Sequence, residues 1–361
     1  MKNLKNILII IQRSNGDVLF SLPLIKALYK HYKSPQIDLL VNDDTVSVAR
    51  LLPNINSIHT FSYKKKRENR WKQEKDIVTT VFRKYDLSIN LTASDRSVLY
   101  ALFASKNSIS AIEKDNNKSW WKKSLLAHYY YFDSTRHILL NNLESLNILK
   151  IEHNNIQQSP NTSDLVSDNV GNKLNKSGIK AFLIFHPSAQ YNYKIYPKHL
   201  LNELLTKLNT LGVSILITGG DSQIDAEIKD TIPNLDNIFN WIGETTLEEY
   251  FALSELSSAY IGMDTLNMHI AASQNKRIFA IFGPSNLSMW SPWSNRSQQC
   301  ASKDNPIQTY DNITIFQADM PCVACGKAGC DDQYGKSECL DHIDPLLVFN
   351  EIKDWYQNAK I

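Results

Sequence analysis

Two carboxylates, a lysine and a histidine stand directly behind short apolar stretches, where side chains can meet a ligand. Asp17 ends the turn Arg13-Ser14-Asn15-Gly16-Asp17 that follows Ile7 to Ile11. A carboxylate there can cap the next helix, or it can take a proton as a general base. Lys194 ends the run His186-Pro187-Ser188-Ala189-Gln190-Tyr191-Asn192-Tyr193 behind the apolar residues 181–185. Small and hydroxyl residues followed by a lysine suit a diphosphate: Ser188 can donate a hydrogen bond and Lys194 supplies a mobile charge, although a solvated surface lysine fits as well. The third group is Met263-Asp264-Thr265-Leu266 with His269 one helical turn further. Free backbone N–H groups at a helix start favour phosphate oxygens, and Asp264 can cap that helix or accept sugar hydroxyls. His269 faces the same side as Thr265, where packing is the ordinary role of a lone histidine. Gly219-Gly220 makes a fourth turn after an apolar run, and such a pair can simply turn the chain.

These residues need elements that hold them in place, and the pattern between them is strand, loop, helix. Strands are expected at 7–11, 37–41, 57–61, 87–91 and 108–111, with a helix over 18–32. Residues 154–179 are rich in Asn, Ser and Asp and read as a linker. Beyond them the alternation resumes: strands at 181–185, 214–218, 259–261 and 278–282, and helices at 197–211, 222–232, near 247–257, and up to 273. Strands alternating with helices imply parallel sheets, and ligands collect beyond the carboxyl ends of such strands. The fold class is therefore α/β, with two Rossmann-like doubly wound domains over 1–165 and 180–345 and a last helix at 346–361.

The 361 residues are enough for two cores, and 43% hydrophobic with 21% charged residues excludes disordered and fibrous classes. The longest aliphatic run, Ile7 to Ile11, is far short of the ~20 residues of a membrane-spanning helix and too short for a signal-peptide core, so a mature cytoplasmic chain is expected. The net charge of +2 hides an asymmetry. Residues 1–150 hold 24 Lys and Arg against 13 Asp and Glu, a surplus of eleven; residues 151–361 hold 15 against 24, a deficit of nine. A basic half suits an anionic partner or a solvated lysine-rich face. Its basic residues match no nucleic-acid reading motif, so no nucleic-acid partner is expected.

Several motifs in order resemble glycosyltransferase family 9. They are Arg13-x-x-Gly16-Asp17-Val18 with Pro23, His186-Pro187-Ser188 with Lys194-x-Tyr196-Pro197, Gly262-Met263-Asp264-Thr265 with His269-x-Ala271-Ala272, and Phe282-Gly283-Pro284. Trp290-Ser291-Pro292-Trp293 and the later cysteines look most like the branch that adds a third heptose. The resemblance implies a GT-B architecture, an acceptor-binding first domain and a donor-binding second domain facing a central cleft, with the last helix packing back toward the first domain. It implies an inverting transfer of heptose from ADP-L-glycero-β-D-manno-heptose to a sugar hydroxyl of the lipopolysaccharide inner core, needing no metal or other cofactor. A transferase using another nucleotide sugar and a GT-B sugar-nucleotide epimerase are the alternatives. Asp17 matches the family's proposed base; Lys194, with Ser188 and Thr265, would stabilise charge on the departing diphosphate. Ala189, Gly219, Gly220, Met263, Asp264, Leu266 and His269 complete the implied donor site, with Asp264 at the position that holds donor hydroxyls. Arg13, Asn15, Lys64, Arg67 and Lys122 are the implied acceptor contacts. Two departures stand out: Gln190 replaces a frequent Arg, and Leu266 replaces a small residue.

The basic segments 64–75 and 114–123 fit phosphorylated core-lipid A at the cytoplasmic face of the inner membrane, a peripheral contact. Trp120 and Trp121 could lie at that interface, but core packing is the simpler reading. Cys322, Cys325, Cys330 and Cys339 have the spacing C-x2-C-x4-C-x8-C, open to a structural zinc knuckle, a disulfide pair or a thiol-rich loop. A cytoplasmic location disfavours the disulfide. The oligomeric state stays open.

Overall fold

The computed structural model describes residues 4–114, 119–153, 160, 164–301 and 305–359. The chain divides into two compact units, Met1–Asn161 and Thr162–Ile361.

The first unit holds six strands: β1 (Asn6–Ile11), β2 (Gln36–Asn42), β3 (Ser57–Phe61), β4 (Leu87–Asn90), β5 (Ser108–Ile112) and β6 (His128–Tyr131). They pair in the order β3-β2-β1-β4-β5-β6, every neighbour parallel. This is the order of a doubly wound nucleotide-binding sheet. Ile7 to Ile11 are wholly buried, as expected of a central strand covered by helices on both faces. The helix expected over 18–32 is two helices, Asn15–Leu19 and Leu22–His31. Pro23 explains the break, since it lacks an N–H and fits only a first turn.

The second unit holds β7 (Phe182–His186), β8 (Ser214–Gly219), β9 (Ile238–Ile242), β10 (Ala259–Met263), β11 (Arg277–Ile281), β12 (Ile307–Tyr310) and β13 (Ile313–Phe316). The order is β12-β13-β11-β10-β7-β8-β9, parallel except for the antiparallel edge strand β12. Part of the expected linker is a helix, Asp164–Lys176, packed on Leu247–Leu256. Val170 and Leu174, one turn apart and buried, outweigh the Asn- and Ser-rich composition around them. The remainder of that linker, 154–159 and 161–163, lies outside the described residues. The last helix, Pro345–Ala359, packs on Lys198–Asn209, placing Val348 and Ile352 in the core of the second unit. Its described packing is within the second unit.

Among the described residues no helix is long and apolar enough to cross a membrane.

Candidate active site

The parallel connections of the two sheets part in opposite directions between β1 and β4 and between β7 and β10, and Asp17, Lys194 and Asp264 follow β1, β7 and β10. The loop after β1 is tied to the loop after β4 by Gln12, whose backbone N–H donates to Thr92 Oγ1 at 2.9 Å. Asp17 is buried in the first helix of this loop. Its Oδ2 accepts from the Ser14 backbone N–H at 3.1 Å and from Ser14 Oγ at 2.6 Å. Oδ1 is 2.9 Å from Arg13 Nε, an ion pair, yet accepts no hydrogen bond. Asp17 therefore caps its helix with one oxygen and keeps lone pairs on the other. The capping reading is realised, with Ser14 at the N-cap and Asp17 three residues into the helix.

Asn15 is half-buried beside it, and Arg13 packs its guanidinium on the Phe132 ring at 4.9 Å. Lys64 and Arg67 are exposed on the helical segment Tyr63–Val81, ahead of its kink at Asn69. Lys122 departs from the expectation of a surface cation. It is 1% exposed, with Nζ 2.9 Å from the Ala93 carbonyl and 2.7 Å from Asp95 Oδ1. A buried ammonium needs such partners, and they leave it a structural role under the loop after β4. The two neighbouring tryptophans part company: Trp121 packs with Val98, Ile112 and Leu126, while Trp120 is 70% exposed.

In the second unit the loops after β7 and β10 meet through charge. Lys194 Nζ donates to Asp264 Oδ2 at 2.6 Å. Burial alone would lower the lysine's pKa, but the Asp264 charge and hydrogen bond, with Tyr193 and Tyr191 beside them, raise it. Burial alone would raise the Asp264 carboxyl, but Lys194 holds it below its ordinary range, aided by Ser285 and His269. His269 is buried and pushed down to about 4 by burial, against the pull of Asp264, so it is neutral at pH 7. Thr265 precedes the helix Leu266–Ser273 in extended conformation and makes no side-chain cap. Met263, Ser188 and Ala189 are buried, the Ser188 hydroxyl hydrogen-bonded to Asp225, and Leu266 is half-buried.

Close approach of backbone explains the glycines. A Cβ on Gly262, whose φ is +152°, would stand 2.3 Å from the His186 carbonyl oxygen. At Gly219 and Gly220 the neighbour is a side chain: Asp225 oxygens would lie 2.8 and 3.1 Å from an added Cβ. Asp225 accepts from the Gly220 N–H at 2.9 Å and from Ser222 N–H at 3.1 Å. Sequence reasoning passed over Asp225, although Ser222-x-x-Asp225 is a capping box. It also passed over Tyr334, whose ring packs against Tyr191 and Tyr193 at 5.5 and 6.1 Å and so joins the cysteine-bearing segment to the Lys194 loop.

Cys322, Cys325, Cys330 and Cys339 line one cavity of about 60 Å³ with Met320 and Pro284. Among the described residues no group of three or more His, Cys, Asp or Glu is arranged to hold a metal ion.

Two doubly wound parallel-sheet units with polar residues behind their switch-point strands are the fold of the GT-B glycosyltransferases. The family model described as Glycosyltransferase family 9 (heptosyltransferase) matches residues 78–317. The chain belongs to this family. Lipopolysaccharide heptosyltransferase 3 of Escherichia coli is 25% identical over 294 residues, 80% of this chain and 86% of that protein. The structure of Escherichia coli ADP-heptose lps heptosyltransferase II superposes with a TM-score of 0.71 at 18% identity, covering 99% of this chain and 100% of the other. A family 9 glycosyl transferase from Veillonella parvula gives 0.69 at 19% identity over 80% and 83%. At these identities the two solved structures speak for the fold.

Proposed function

We propose that this chain transfers heptose from ADP-L-glycero-β-D-manno-heptose to a sugar hydroxyl of the lipopolysaccharide inner core, with inversion at the anomeric carbon. Asp17 takes the proton of the acceptor hydroxyl as its oxygen attacks that carbon; the bond to the β-phosphate oxygen breaks, and ADP leaves with the electron pair. Lys194, Ser188 and Thr265 stabilise charge on the departing diphosphate, Asp264 holds Lys194 and meets donor hydroxyls, and neutral His269 packs beside them. The family and the named relatives support the reaction class. The observation that supports the base role is Asp17 Oδ1, a buried carboxylate oxygen ion-paired with Arg13 Nε but accepting no hydrogen bond, set just past the carboxyl end of β1.

The acceptor is lipid-anchored, so this reading makes the chain a peripheral protein of the inner membrane's cytoplasmic face. The exposed basic helix Tyr63–Val81 supports that contact.

The test is acceptor-dependent ADP release by Asp17→Asn, which keeps the shape and removes the base. A fall of about 10²- to 10⁴-fold in kcat is expected. Turnover within a few-fold of the parent chain would remove Asp17 from the reaction. A panel of ADP-heptose, UDP-sugars and GDP-sugars with heptose-truncated core oligosaccharides should yield product with ADP-heptose alone.

A further inference from the structure

Buried side-chain atoms that make no hydrogen bond are rare in folded proteins, because each gives up water without replacement. The described residues of the first unit hold five, and four of them lie in the turn 12–17 and at Asn42, which is bonded to that turn: Gln12 Nε2, Asn15 Oδ1, Asn42 Oδ1, and Asp17 Oδ1, whose one partner is the Arg13 ion pair. Ser119 Oγ is the fifth. Gln12 and Asn42 each follow one pair of the β1–β2 ladder, whose last register is Ile11 with Val41. Asn42 Nδ2 donates to the Arg13 carbonyl at 3.2 Å, which draws it against the turn carrying Asn15 and Asp17. The amide orientations are set by partners: Gln12 Oε1 accepts from Arg96 Nε at 3.4 Å, leaving Nε2 as the orphan, and the Asn42 donor bond leaves Oδ1.

The chemistry of the four atoms selects a ligand class. One is an N–H donor and three are oxygen acceptors. Phosphate offers only acceptors and would meet three oxygens with nothing to share. A sugar ring offers hydroxyls that donate and accept in turn, which matches an amide donor and two amide acceptors beside a carboxylate. We propose that Gln12, Asn15 and Asn42 form the subsite that reads the acceptor sugar's hydroxyls, orienting one of them onto Asp17; this rests on the transferase reading above. Arg13, whose side chain is 23% exposed, is ion-paired with Asp17 and packs on the Phe132 ring at the edge of this group.

Three variants separate this subsite from a structural role. Gln12→Glu turns the orphan donor into an acceptor at equal shape. Asn15→Leu removes an acceptor at similar volume, and Asn15→Asp restores it. In steady-state transfer to a heptose-truncated core oligosaccharide, Gln12→Glu and Asn15→Leu should raise the acceptor KM by about tenfold. The KM for ADP-heptose should stay within about twofold, and Asn15→Asp should return the acceptor KM toward the parent value. Thermal melting of Asn15→Leu should not fall, since no hydrogen bond is lost. An unchanged acceptor KM in both variants, or an equal rise in both KM values, overturns the subsite. Calorimetric titration of the oligosaccharide alone tells the two readings apart. Binding weakened by Asn15→Leu, in a chain that transfers nothing, keeps the subsite and removes the transferase; transfer with no effect of the variants does the reverse.

Discussion

Lys194 Nζ lies 2.6 Å from Asp264 Oδ2, joining the loop after β7 to the loop after β10 where the second sheet reverses its connections. The lysine therefore reaches the proposed diphosphate site already held, and its charge is fixed in place before any ligand arrives. Preorganised charge of this kind acts on the transition state without reorganising.

Lys194→Met should lower kcat by about 100-fold, the scale of losing one such electrostatic contact. It also leaves Asp264 buried without its counter-charge, so urea unfolding should show a loss of about 3 kcal/mol. The pH window follows from the two shifts. Asp264 is held low, so its contribution is present above about pH 4 and fades as pH falls through the depressed value; Lys194 is held high, so its contribution persists below about pH 10 and fades above the raised value. In Lys194→Met burial raises the unpaired Asp264 carboxyl, so the deficit should be largest at high pH and shrink as the pH falls and that carboxyl takes a proton. A deficit that grows as the pH falls would count against the pair.

Two buried histidines give the second unit an acid-sensitive stability. Burial pushes His186 and His269 each down to about 4, and both are neutral in the folded chain at pH 7. The unfolded chain takes protons near pH 6.5, so stability is full above that value and falls as pH drops toward 4. Between pH 7 and pH 5 the loss should be about 2 kcal/mol per histidine. His186→Asn and His269→Asn should each flatten the pH dependence of urea unfolding by about that amount. An unaltered slope in both would show that these rings do not titrate on unfolding.

The strand-loop-helix frame was legible because its apolar strands are short, buried runs flanked by Gly, Ser and Asp, and Asp17, Lys194 and Asp264 were found because they follow those runs. Asn42 obeys the same rule, directly behind Ile37 to Val41, and was missed for want of a motif around it. Lys122 was misread because sequence shows a charge but not its partner: Asp95 and the Ala93 carbonyl come from 27 and 29 residues earlier. The helix Asp164–Lys176 was hidden by composition, since only Val170 and Leu174 carry its buried stripe. Asp225 was invisible as the reason for Gly219-Gly220, because the approach of its carboxylate to that backbone exists only in three dimensions.

Thiol labelling tests the cysteine segment. Cys322, Cys325 and Cys330 are exposed, while Cys339 is buried and pushed up to about 11 by burial, with the other three sulfurs adding to the rise. The thiolate is the reactive form, so iodoacetamide at pH 8 should modify the first three and spare Cys339 until the chain unfolds. Mass spectrometry of tryptic peptides reads the pattern. The structural zinc knuckle has the opposite signature: all four protected together, one zinc per chain by elemental analysis, and release of both on chelation.

The membrane contact makes a prediction with two independent arms. Residues 63–81 carry seven Lys and Arg against three acids, and Trp71 stands 81% exposed among them. Clustered cations draw the helix to anionic headgroups, and an interfacial tryptophan adds a term that salt does not screen. Cosedimentation with vesicles rich in anionic phospholipid should therefore fall by roughly tenfold or more between 0.05 and 0.5 M salt, as the Debye length shrinks from about 14 to about 4 Å. Lys64→Glu with Arg67→Glu should mimic high salt, whereas Trp71→Ala should weaken binding by a similar factor at every salt concentration. Binding that ignores both salt and charge reversal would leave the basic helix as a solvated face and remove the membrane from the account of residues 1–150.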